Sequence, residues 1–101
     1  MAQAFEVSVA DETLGDLRQR LLNARFTTRS GAAPWKGGTD PEYLRELVGY
    51  WADGFDWREL ERQLNRLSHY RARIAGRRLH FVHVPAVRRD STDQRPLILS
   101  H

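Results

Sequence analysis

The sequence predicts an α/β fold in which three helices precede three strands. Three observations carry it. Apolar residues recur at helical spacing as far as Leu67. From His69 the period changes to two, with a glycine between two alternating runs. Near the end, Leu97 to Ser100 reads "LILS", an apolar run of the kind buried on both faces of a parallel sheet. The expected organisation is a helical segment over 1–68 and the start of a sheet over 69–101. Within the latter, a hairpin spans 69–84 and a strand 97–100.

The elements follow in order. "EVSV", Glu6 to Val9, alternates and fits a short edge strand or an extended arm. In "DETLGDLRQRLLNARF", Asp11 is the expected N-cap, and Leu14, Leu17 and Leu21 form a helical stripe. Residues 27–38 are a loop punctuated by Gly31, Pro34, Gly37 and Gly38, with Trp35 expected to anchor it on a core. The second helix opens with Asp40 as cap and Pro41 in the first turn. Leu44, Leu47, Val48 and Trp51 make its apolar face, and Gly54 is the expected C-terminal cap. The third helix starts at once. Asp56 and Glu59 have capping-box spacing, Phe55 and Leu60 are placed for a hydrophobic staple, and Leu60, Leu64 and Leu67 form the stripe. "HYRARI" and "LHFVHV" flank "AGRR", whose Gly76 is the turn residue.

The chain has 101 residues and no cysteine, which excludes disulfide and thiol chemistry. Hydrophobic residues at 41% and charged residues at 29% describe a soluble globular chain. The start lacks a basic n-region and an apolar h-region, so no signal peptide is expected, and no run has membrane-spanning length. The expected location is cytoplasmic, with no membrane partner. Charge is unevenly spread. Residues 1–61 carry seven basic and eleven acidic side chains; residues 62–101 carry nine arginines and two aspartates. Such a basic half could meet an anionic partner. Partial compensation between the halves is the preferred reading, and no nucleic-acid partner is expected.

Chemistry is sparse. His80 and His83 have a ligand-like spacing, but on a strand residues three apart point to opposite faces, so no metal is expected. Glu42, Glu46, Glu59 and Glu61 are assigned to capping and solvated faces. No nucleophile elbow and no phosphate loop occurs.

Two stretches, "YLRELVGYWADGFDWRELERQLN" and "IAGRRLHFVHV", together with the final "PLILSH", carry a resemblance to a known family. From about Phe5 to His101 the chain resembles the N-terminal region of microsomal-type epoxide hydrolases. The resemblance implies that the strands open an α/β-hydrolase core. It implies that the strand over 97–100 runs into a His-Gly-x-Pro turn flanking the oxyanion hole, of which His101 is the first residue. It assigns no catalytic role to any residue here, and Trp35, Trp51, Phe55, Asp56, Trp57, Glu59 and Gly76 are structural. It implies no metal and no organic cofactor.

The function implied is that of the N-terminal fragment of an epoxide hydrolase, itself inactive, whose partners are the rest of the hydrolase core and lid. The small-molecule epoxide belongs to the full-length enzyme. In the family's sheet the strand at 97–100 is separated from the hairpin by a strand that this chain lacks. The second hypothesis is a small non-catalytic α+β module that binds a partner through its Arg-rich half.

Overall fold

The computed structural model describes residues 1–28, 31, 33–87 and 97–100. The elements in chain order are β1 (Gln3–Phe5), α1 (Asp11–Leu22), α2 (Pro41–Gly49), a π-helical turn (Tyr50–Gly54), α3 (Trp57–Leu64), β2 (His69–Ile74) and β3 (Arg77–Val82). They belong to two compact units. One is residues 6–66; the other joins residues 1–5 to residues 67–101.

In the helical unit, Leu14, Leu17 and Leu21 of α1 are half-buried, as their stripe requires. Asp11 does not cap. Ala10 occupies the N-cap position without a side-chain bond, and Asp11 is the first helical residue. Its carboxylate is instead ion-paired with Arg58 of α3. Asp40 does cap α2, accepting from the Tyr43 N–H, and Pro41 follows in the first turn, where its missing N–H costs nothing.

The end of α2 departs from expectation. Gly54 is absent from the positive-φ glycines, so it is not a left-handed C-cap. The helix widens into the π turn, closed by the Phe55 N–H donating to the Tyr50 carbonyl at 2.8 Å. Glycine is needed for space here. A Cβ at residue 54 would stand 2.7 Å from Cδ2 of the Tyr50 ring. Two residues later Asp56 begins α3, accepting from the Glu59 N–H at 3.1 Å.

The strand unit is a three-stranded antiparallel sheet in the order β1-β2-β3. Phe5 pairs with His69, His69 with Val82, and Ile74 with Arg77. The hairpin turn is Ala75 and Gly76, both with positive φ (49° and 77°), which is the two-residue type I′ geometry that suits the right-handed twist of the strands. The third strand is not where the sequence places it. Leu97–Ser100 is described without strand pairing, and Leu97, Ile98 and Leu99 are more than 80% exposed. An apolar run of that kind needs a neighbour on each edge, and the described residues supply none. Gln3–Phe5 takes the third place, while Glu6–Val9 is an arm outside any ladder.

Among the described residues no hydrophobic side chain is fully buried; the two buried side chains, Asp40 and His69, are polar. No helix among them is long and apolar enough to cross a membrane.

Candidate functional site

The helical unit holds an open concavity of about 440 Å³. Leu14, Leu17 and Leu21 of α1 line one part of it, and Trp51, Phe55 and Trp57 another. The tight "ADGFD" corner brings those three residues to one concavity, because α3 starts soon after the π turn ends. Phe55 meets the edge of the Tyr50 ring at 6.3 Å between centroids. The polar groups of the wall are engaged. Arg18 donates to Asp53 at 2.5 Å, and the Trp57 indole N–H donates to Glu61 at 3.2 Å. Such a surface offers apolar area with satisfied polar groups, which suits packing against another surface better than acid–base work.

Asp56 and Glu59 form half of the expected capping box. Asp56 accepts from the Glu59 N–H, while the Glu59 carboxylate turns outward to Arg62 and Gln63. The Arg62 guanidinium, helped by the Gln63 amide, holds that carboxyl below its usual range.

Glu61 departs further from the expected solvated role. Its side chain is only 13% exposed, and it accepts from the Val9 N–H at 2.9 Å, from Trp57 and from Arg58. The Val9 N–H, reinforced by Arg58 and Trp57, lowers its carboxyl against the opposing effect of desolvation. One turn on, Asn65 makes a two-way bond with Val7: its Oδ1 accepts from the Val7 N–H and its Nδ2 donates to the Val7 carbonyl, both at 2.8 Å. The spacings match. Two residues of extended chain cover about 6.6 Å and four of helix about 6 Å, so residues 7 and 9 can meet residues 65 and 61. α3 thus presents a side-chain edge on which the arm lies like a strand.

Trp35 sits in a turn closed by the Lys36 N–H to the Ala33 carbonyl. It has φ +68° and lies 5.0 Å from the Tyr43 ring. It is 55% exposed, so it fastens the loop to α2 rather than to a core.

In the strand unit, Gly76 occupies the second turn position. His80 and His83 fall on opposite faces, as strand geometry dictates. His83 joins Tyr70 and Phe81 on one face. His80 meets His69 on the other, with Nδ1 of His69 3.0 Å from Nε2 of His80. Hairpin register makes 69 and 80 diagonal neighbours, a relation that the His80–His83 spacing hides. Phe5 stands edge-on to His80, and the Arg71 guanidinium lies 3.5 Å over the Phe5 ring. Among the described residues no three metal-ligating side chains cluster. His101 lies outside the described residues.

The sequence matches the family model described as "Epoxide hydrolase N terminus" over residues 2–101. It is 33% identical over 98 residues to epoxide hydrolase 1 of Sus scrofa, covering 96% of this chain and 22% of that protein. The fold superposes on an enantioselective mutant of the epoxide hydrolase from Aspergillus niger with a TM-score of 0.80 and 28% identity, covering 90% of this chain and 25% of that one. It is also similar to the juvenile hormone epoxide hydrolase of the silkworm Bombyx mori, with a TM-score of 0.79 and 24% identity over 88% of this chain and 24% of that one. The chain therefore spans about a quarter or less of the proteins it matches.

Proposed function

Because the chain belongs to the epoxide hydrolase N-terminus family, we propose that it works as the bracing N-terminal part of an epoxide hydrolase and carries none of the chemistry itself. The observation that carries this reading is the unburied apolar surface. Trp51, Phe55 and the leucines of α1 meet in a concavity, and no hydrophobic side chain among the described residues is fully buried. Aromatic and aliphatic area of that extent needs cover. The rest of a hydrolase core and lid is the proposed cover, and residues 1–68 and 69–101 are the proposed bracing and sheet-forming parts. Trp35, Trp51, Phe55, Asp56, Trp57, Glu59 and Gly76 then act as structural residues, and His101 as the flank of an oxyanion turn.

In the full-length enzyme the proposed reaction is attack by an aspartate carboxylate on an epoxide carbon. The ring opens to an ester, and water then hydrolyses the ester to a vicinal diol. The test is turnover of styrene oxide. Full-length protein containing this sequence should form the diol, and the purified 101-residue chain should not; diol formation by the chain alone overturns the assignment. Cytoplasmic residence belongs to the same proposal, and recovery of the full-length protein in the membrane fraction would contradict it. The alternative of a free-standing partner-binding module draws no support from the family match.

A further inference from the structure

One face of the hairpin is a field of cations. Register places Arg71 directly opposite His80 and Arg73 directly opposite Arg78, and alternation puts all four on the face that also holds Phe5 and His69. Directly opposed like charges destabilise an antiparallel pair, since their Cβ atoms are only about 5 Å apart. Nothing nearby in sequence relieves them, because residues 62–89 contain eight arginines and no acidic residue. Arg71, Arg73 and Arg78 are exposed, and no ion pair involves them among the described residues.

Two members of the cluster are held in place. The Phe5 ring supports the Arg71 guanidinium, and His80 is fixed between the His69 ring and the Phe5 edge. Between them lies a concavity of about 260 Å³ lined by Arg71, Arg78, Leu79 and His80. Two arginines and a histidine line it, with no carboxylate among the lining residues. That donor set suits a compact oxyanion with several acceptor oxygens.

We propose that this face is an anion site for a phosphate group, held by Arg71 and Arg78 with His80 as a third donor. A phosphate dianion offers the two charges and multiple oxygens that two diagonally neighbouring arginines require; a single carboxylate offers one charge and two oxygens. Its lining shares no residue with the helical concavity, and it is independent of epoxide chemistry.

The test is titration of the full-length protein with inorganic phosphate at constant ionic strength, followed by calorimetry and by the ring resonances of His80. Arg78→Gln removes a fork, whereas Arg77→Gln makes the same charge change on the opposite face of the same strand. Saturable phosphate binding that shifts the His80 resonances is expected, and Arg78→Gln should weaken it about tenfold, the loss of one charge-assisted hydrogen bond. Arg77→Gln should leave it within about twofold, because its fork faces away. Equal weakening by the two variants would mean diffuse attraction and overturn the site. So would acetate competing as well as phosphate, or no saturable binding in the full-length protein.

Discussion

Asn65 and Glu61 place the arm. Each supplies from a helix what a neighbouring strand would supply from its backbone, so residues 7 and 9 keep their hydrogen bonds without joining the sheet. Asn65→Ala leaves both polar groups of Val7 unpaired and should cost about 1–3 kcal/mol in urea unfolding, whereas Asn65→Asp keeps the acceptor, loses the donor and should cost less. Glu61 makes stability depend on pH. Its folded carboxyl titrates below the ordinary value of 4.5. The unfolded chain therefore binds the proton first as pH falls, and the contribution is complete above about pH 4.5 and lost on acidification below it. Glu61→Gln should lower the urea midpoint at pH 7 and flatten its fall between neutral pH and pH 3. An unchanged acid slope would assign the loss to other carboxylates. None of this is legible along the chain, because Val9 and Glu61 are 52 residues apart. The sequence presents Glu61 only as a carboxylate on a polar helix.

At the scale of the element, local chemistry is more readable. Asp40 and Asp56 cap the helices they precede, and Asp56→Ala should cost about 1 kcal/mol by thermal unfolding. The type I′ turn accepts Gly76 easily but places Ala75 in the left-handed region. Ala75→Asn should stabilise the hairpin by about 0.5–1 kcal/mol, seen as a higher Tm with the register kept; a lower Tm would argue against the I′ geometry. Period also placed the hairpin faces: Tyr70 stacks on Phe81 as alternation requires. What local rules missed was the competition for partners. Asp11 has an N-cap's chemistry but spends its carboxylate on Arg58. Gly54 has a C-cap's position but serves the Tyr50 ring in a π turn. Each outcome depends on a neighbour that propensity does not see.

For the molecule as a whole, exposed apolar surface is the dominant fact. Tyr50, Trp51, Leu47, Ile74 and Leu97–Leu99 all stand well into solvent. The isolated 101-residue chain should bind a hydrophobic dye strongly and aggregate at micromolar concentration, and the same sequence within a full-length hydrolase should do neither. Dye binding that is equally weak in both would remove the need for a covering partner. Apolar spacing and turn chemistry were enough to specify three helices and a hairpin, since those features depend on residues within a turn or two of one another; the resemblance that the family match bears out rested on the quoted stretches themselves. Long-range pairing decided the rest: Gln3–Phe5 rather than Leu97–Ser100 as third strand, and the arm on α3. A strand becomes a strand only when a partner shares its hydrogen bonds: Gln3–Phe5 finds one more than sixty residues away, and the described residues offer none to "LILS".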